Sequence, residues 1–163
     1  MPAETRAFAL LSLTLSAAIF GFFYAWTVST MWGLDQAPPQ VAIAAMQAMN
    51  ASVRNAAFAP AFFGTAPAFL LTALVTRKNH RAAWLFLAAG LIYGLAAMGL
   101  TMAINVPMNE TLAATAIPAD PAQAAEIWQA YSQPWQMWNQ IRTATSGAAF
   151  LTGLAGLIAL SRP

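Results

Sequence analysis

The chain has 163 residues, of which 60% are hydrophobic and 7% charged, against about 25% charged in an ordinary soluble domain. That balance excludes a water-soluble globule and describes an integral membrane protein, while a formal charge of +2 from so few ionisable groups excludes a nucleic-acid-binding surface. The absence of cysteine excludes disulfides, thiolate nucleophiles, Cys-ligated zinc and iron–sulfur clusters.

The length allows a single membrane domain, residues 1–163, whose core need not be large because lipid covers most of its apolar surface. Alanine-rich, lysine-poor usage gives the chain a bacterial look. Four segments have the roughly 20 apolar residues needed to cross a bilayer, at about 7–31, 57–76, 82–104 and 143–160. The expected fold is therefore all-α, a four-helix bundle in the membrane.

The first span carries no charge. Arg6 ahead of it imitates a secretory signal, but its length, the aromatic residues Tyr24, Trp26 and Trp32 at its far end, and the lack of a small-residue cleavage pattern point to a retained helix. After it, Asp35 and the pair Pro38-Pro39 stop one helix and start another. The new helix runs from Pro39 through Arg54 and sets Gln47, Asn50 and Arg54 at i, i+3 and i+7, an amide-amide-cation face flanked by Met46, Met49 and Val53. Pro60 and Pro67 are expected to kink the second span.

A tight basic turn follows at 77–81, with His80, the single histidine, as a solvated loop residue lacking a second ligand. The third span ends at Asn105-Val-Pro-Met-Asn109, where Pro107 disfavours helical geometry at Val106 and predicts a break or bend. Beyond a proline-punctuated loop at 116–121, a short helix at 122–132 carries Trp128 and Tyr131, and Ser132-Gln-Pro134 reads as the start of the fourth helix. Its first two turns are Trp135-Gln-Met-Trp-Asn-Gln-Ile-Arg142. Trp135, Trp138 and Arg142 share one face with Asn139 beside them, so a cation, an amide and two indoles converge at the membrane surface.

If the spans alternate, Arg6, Arg77, Lys78, Arg81 and Arg162 lie on one side and Asp35, Glu110, Asp120 and Glu126 on the other. The positive-inside tendency then makes both termini cytoplasmic, in what reads as a bacterial cytoplasmic membrane. The outward side carries a helical and loop cap at about 35–56 and 105–142. Gly90 and Gly94, and Ala149 and Gly153, are small residues at i, i+4 that suit close helix approach. No acid or histidine falls inside a span, which speaks against a proton relay, an ion-coupled transporter or a haem bundle. No span has the polar stripe of a pore.

Asn50-Ala-Ser52 and Asn109-Glu-Thr111 match the glycosylation pattern, but both stand where packed polar contacts are expected. Met46, Met49, Met108 and Met137 read as soft core filling and not as copper ligands, since no histidine or cysteine accompanies them. No metal-ligand set is legible.

Three motifs in order, Met-Gln-x-Met-Asn at 46–50, Asn-Val-Pro-x-Asn at 105–109 and Trp-x-x-Trp-Asn-x-x-Arg-Thr at 135–143, resemble the four-helix membrane proteins of the anthrone oxygenase-like family, a domain of unknown function in most bacterial members. The resemblance spans nearly the whole chain. It implies oxidation of an anthrone to an anthraquinone without metal or flavin, so no cofactor is expected. Laid on these residues, Arg142 with Asn105, Asn109 and Asn139 stabilises an enolate oxygen, and Trp135 and Trp138 stack on a planar ring. Gln47 and Asn50 complete the expected substrate-binding set. The base is least defined: Glu110 is the acid nearest a motif, and Asp35 is the other outward carboxylate.

Two readings remain open. In one, a membrane enzyme oxidises or binds a hydrophobic aromatic or quinone-like molecule from the outer leaflet. In the other, the polar cluster ties helix ends together, because unsatisfied backbone groups near lipid cost several kcal/mol each, with the tryptophans as interfacial anchors. The chain is then a non-enzymatic accessory subunit of a larger membrane complex, or a holder of lipid, quinone or pigment. The expected partners are membrane lipids in both readings.

Overall fold

A computed structural model describes residues 2–161, so Arg162 of the topology argument lies outside the described residues. The described chain is helical, without strands. Four helices are long and apolar enough to cross a membrane: α1 (Ala3–Asp35), α3 (Phe58–Val75), α4 (His80–Ala114) and α5 (Pro121–Ser161). Between α1 and α3 lies α2 (Pro39–Ser52), with proline in its first turn, where the missing N–H costs nothing.

The four long helices form a square in which α1 packs on α3, α3 on α4, α4 on α5 and α5 back on α1. On α1 the buried residues Thr5, Ala9, Ser12, Ser16, Ile19 and Phe23 recur at helical spacing, while Leu10, Leu11 and Tyr24 face outward. Such an apolar outer face requires lipid. Small residues bring the helices together: a Cβ built on Gly153 would stand 2.5 Å from Phe69 Cε1, and one on Gly147 2.9 Å from Phe20 Cε2. Polar ties are few and local. Thr72 Oγ1 donates to Phe8 O across the α1–α3 contact at 3.1 Å, and the Tyr93 hydroxyl donates to Phe62 O at 2.8 Å between α4 and α3. At the basic turn, Asn79 Oδ1 accepts from the Ala82 N–H at 3.1 Å and so caps α4.

Two expected breaks are absent. The segments read as a short helix at 122–132 and a new start at Pro134 form one helix with Pro134 inside it. Pro134 removes one backbone bond, but Ala130, whose carbonyl loses its donor, is exposed and finds water or lipid headgroups. Across the same point the Asp35 carboxylate accepts from Trp128 Nε1 at 2.9 Å, Ser132 Oγ at 2.7 Å and Gln136 Nε2 at 2.8 Å. These donors recur every four residues on one helix face, so a single carboxylate splints the helix over its proline.

The third helix likewise does not end near Asn105. It changes winding, with π-helical turns at Ile92–Gly99 and Thr101–Asn105, and then continues as an α-helix from Val106 to Ala114. Pro107 follows the second π turn directly, where the wider winding relieves the clash of its ring with the preceding turn. A third π turn, Trp26–Thr30, interrupts α1 at the same level of the bundle.

The end of the bundle opposite the basic turn has its own core. Trp26 and Met31 of α1, Ile43 and Met46 of α2, Leu112 of α4, and Trp128, Tyr131 and Trp135 of α5 pack together there. Gln47 helps to close this cap: its Nε2 donates to Leu112 O at 2.8 Å, which also accepts from the Thr115 N–H, and to Thr115 O at 3.0 Å just past the end of α4.

Candidate functional site

Beneath the cap, between α2, the 53–57 connection and the cap-side ends of α1, α3, α4 and α5, lies a cavity of about 560 Å³. Its walls are mostly aromatic and aliphatic, with Phe22, Phe23 and Trp26 from α1 and Phe58, Phe62 and Phe63 from α3. Polar groups enter from three sides: Asn50 on α2, Thr101 and Asn109 on α4, and Arg142 on α5.

Arg142 is the centre of this arrangement and is 5% exposed. Its Nε donates to Asn139 Oδ1 at 2.9 Å, and its Nη1 reaches Thr101 Oγ1 at 3.5 Å. The guanidinium carbon lies 4.4 Å from the Phe23 ring centroid and 4.9 Å from that of Trp135. Aromatic faces offset a desolvated cation by about 2 kcal/mol, whereas leaving a charge buried without a counter-ion costs several kcal/mol. No described carboxylate pairs with Arg142, and the one ion pair among the described residues is Arg54 with Glu110.

Asn139 stands behind Arg142. Its Nδ2 donates to Thr27 Oγ1 at 2.8 Å and Phe23 O at 3.2 Å, and Thr27 Oγ1 lies 3.0 Å from Thr143 Oγ1. Thr27 belongs to the π turn of α1, a winding that often marks functional sites. Asn139 therefore orients the guanidinium from behind, and it is not among the cavity walls.

On the opposite wall, Asn109 Oδ1 accepts from Trp135 Nε1 at 2.8 Å and from the Tyr131 hydroxyl at 2.7 Å. Asn50 is buried and its Nδ2 has no partner. Asn105 is fully buried with neither end of its amide bonded; it sits one turn from Thr101 and one from Asn109 on α4 but is not among the cavity walls. At the mouth, Arg54 Nη2 and Glu110 Oε1 are 3.3 Å apart, their side chains 62% and 60% exposed.

Of the residues singled out from the sequence, Asn50, Asn109, Trp135 and Arg142 thus meet around one cavity, with Glu110 at its mouth. Gln47 does not; it closes α4. Trp138 is half-buried and outside the walls. Trp135 is packed against Trp26 at 5.2 Å between ring centroids and against Arg142, so its ring is less open for stacking than a free platform. Asp35 is bound up with three donors from α5 and lies apart from the cavity. The glycosylation reading fails on geometry: Asn50 is buried, and the Asn109 oxygen, held by Trp135 and Tyr131, fixes that side chain inside the cap. Met46, Met49 and Met108 pack together in the cap core, while Met137 is exposed, so three of the four are core filling.

Sequence reading missed Phe22, Phe23, Trp26, Thr101 and the α3 phenylalanines. Thr101 carried a usable signal, since Thr101, Asn105 and Asn109 repeat every four residues. The aromatic residues carried none, because in a membrane span a wall residue and a packing residue are chemically alike.

A family model described as anthrone oxygenase matches residues 46–152, from α2 through most of α5. No curated protein and no solved structure matches the chain.

Proposed function

This chain belongs to the anthrone oxygenase family, and from that membership and its cavity we propose that it oxidises a planar, hydrophobic aromatic ketone with dioxygen at the outer face of the membrane. The observation that carries the reading is a buried guanidinium, without a carboxylate partner, in the wall of an aromatic cavity of about 560 Å³. Such a group stabilises an anion supplied by the ligand far better than it would in water.

In an anthrone the methylene lies across the central ring from the carbonyl. Loss of one methylene proton gives an enolate whose oxygen charge meets Arg142 and the Asn109 amide, with the rings against the wall formed by Phe22, Phe58 and Phe62. Glu110, the carboxylate at the mouth, takes the proton. The enolate passes one electron to dioxygen, and the radical and superoxide combine through a new C–O bond. The peroxide gains a proton, and loss of water with the second methylene proton leaves the quinone. In sum, CH2 and O2 become C=O and H2O.

The basic turn between α3 and α4, with Arg77, Lys78 and Arg81, lies at the bundle end opposite the cap. It supports cytoplasmic termini and an outward-facing site in a bacterial cytoplasmic membrane. The ligand is then lipid-soluble and reaches the cavity from the outer leaflet.

The test is dioxygen uptake and quinone absorbance after adding anthrone to the protein in nanodiscs, against empty nanodiscs. Uptake above autoxidation that falls to background in Arg142→Ala is the expected result; uptake equal to that of empty nanodiscs would overturn the oxidation. A second reading, a non-enzymatic holder of a quinone-like molecule or pigment, is favoured by one observation: Glu110 is exposed and engaged by Arg54, a poor setting for a base. Native mass spectrometry that finds an aromatic ligand on wild type and none on Arg142→Ala, without dioxygen uptake, would select it.

A further inference from the structure

We infer that Tyr131 and Trp135 are positioning residues of this cavity, fixing the polarity of the Asn109 carboxamide so that a ligand meets an amide donor and not an amide acceptor. The inference rests on the reading proposed above and deepens it.

An asparagine amide has an accepting oxygen at one end and two N–H donors at the other, and a neutral cavity could be built with either end forward. Here the choice is forced. The indole Nε1–H of Trp135 can only donate, and it lies 2.8 Å from Asn109 Oδ1. The Tyr131 hydroxyl, 2.7 Å from the same oxygen, must donate as well, because that oxygen only accepts. Turning the amide over would set its N–H groups against the indole N–H and leave a buried donor unpaired, at a cost comparable to a lost hydrogen bond.

Neither donor can easily withdraw. Trp135 is 2% exposed and Tyr131 7%, and the Trp135 ring is packed between those of Trp26 and Tyr131. With its oxygen occupied twice, Asn109 keeps its Nδ2 free of any described partner while bordering the cavity. Asn50 borders the same cavity; its buried Nδ2 makes no hydrogen bond within range, and only one of its two N–H groups can turn to the neighbouring Tyr131 hydroxyl. Arg142 can only donate. Three side chains on different helices thus offer donors to one space, and the carboxylate of Glu110 is at the mouth. The matching ligand edge is an oxygen with anionic character, a phenolate or enolate on a flat apolar ring system.

The decisive experiment uses 2-hydroxyanthraquinone, whose phenol changes colour on ionising, and neutral anthraquinone, each titrated against the protein in nanodiscs and against empty nanodiscs. In wild type the phenol of the bound probe ionises at least one pH unit lower than in empty nanodiscs. In Tyr131→Phe, which keeps the ring and changes a residue outside the cavity walls, that shift falls by a third or more while anthraquinone affinity changes less than two-fold. Trp135→Phe/Tyr131→Phe, which removes both donors to Asn109 Oδ1, loses more of the shift. A merely structural role would weaken both probes together. An unchanged shift in both variants, or equal loss of both probes, overturns the inference and leaves the proposed function standing. Failure of wild type to bind either probe overturns both.

Discussion

Asn139 Oδ1 accepts the Nε proton of Arg142 at 2.9 Å, one turn away on the same helix, while Asn139 Nδ2 reaches across to Thr27 and Phe23 of the first helix. One amide therefore sets the direction of the buried cation and fastens α5 to the π turn of α1. Asn139→Leu removes both functions. It should cost about 1–3 kcal/mol through the donors and acceptors left unpaired, read as a lower thermal midpoint in detergent, and it should abolish anthrone-dependent dioxygen uptake.

Arg142→Met separates architecture from function. If the guanidinium serves a ligand, the protein carries an unpaired buried charge for which folding gains little. A flexible apolar side chain of similar length relieves that penalty and offsets the lost bonds to Asn139 and Thr101. The thermal midpoint should then fall by no more than about 2 °C, a difference below roughly 1 kcal/mol, while uptake is lost. A fall above about 6 °C would assign Arg142 chiefly to holding the helix ends together.

Glu110→Gln tests the proton acceptor. Removing a general base slows a reaction by roughly 10²–10⁴-fold, so uptake should drop at least 10²-fold. Breaking the exposed ion pair to Arg54 should change stability by less than about 1 kcal/mol. Arg54→Ala breaks the same pair and should leave uptake within about threefold of wild type. Uptake by Glu110→Gln at the wild-type rate would remove Glu110 from the mechanism.

Asp35→Asn should loosen the splint over Pro134. An amide has one accepting oxygen for three donors, and its own N–H groups oppose the indole of Trp128. The expected result is faster backbone hydrogen exchange at 121–136, by about tenfold for each 1.4 kcal/mol lost, with no change at 143–161. Uniform exchange along α5 would show that Pro134 is tolerated without Asp35.

Gly153→Leu places a side chain where even a Cβ would stand 2.5 Å from Phe69 Cε1. Overpacking of this kind costs about 1–3 kcal/mol. It should lower the thermal midpoint without altering uptake by the folded fraction, since Gly153 is far along α5 from Arg142.

Much of this fold is legible in residue types alone, because a bilayer leaves the chain few alternatives. Four uncharged apolar runs must become helices to satisfy their own backbones, and the turn around Asn79 is marked by the cations on either side of it. Proline misled the reading at Pro134, and at Pro107 the expected break or bend is a change of winding within a continuous helix. Pro107 and Pro134 are local signals for a helix end, but what a proline does depends on whether neighbouring elements hold the helix together across it. At Pro134 the compensating group is Asp35, almost a hundred positions away in the chain; at Pro107 it is a π turn that no residue pattern announces.

The candidate site divides along the same line. That Arg142, Asn109 and Asn50 are unusual could be seen from the sequence, since polar side chains beside membrane spans are costly and therefore conspicuous. That Gln47 closes a helix, that Asn139 serves Arg142, and that Phe23 and Trp26 are walls of a cavity could not. Composition and hydropathy act residue by residue and so determined the class, the spans and the identity of the scarce polar groups. Which amide end faces a cavity, and whether a cation has an acid beside it, depend on helices brought together by small residues such as Gly147 and Gly153. Those are relations between distant segments, and only the tertiary structure decided them.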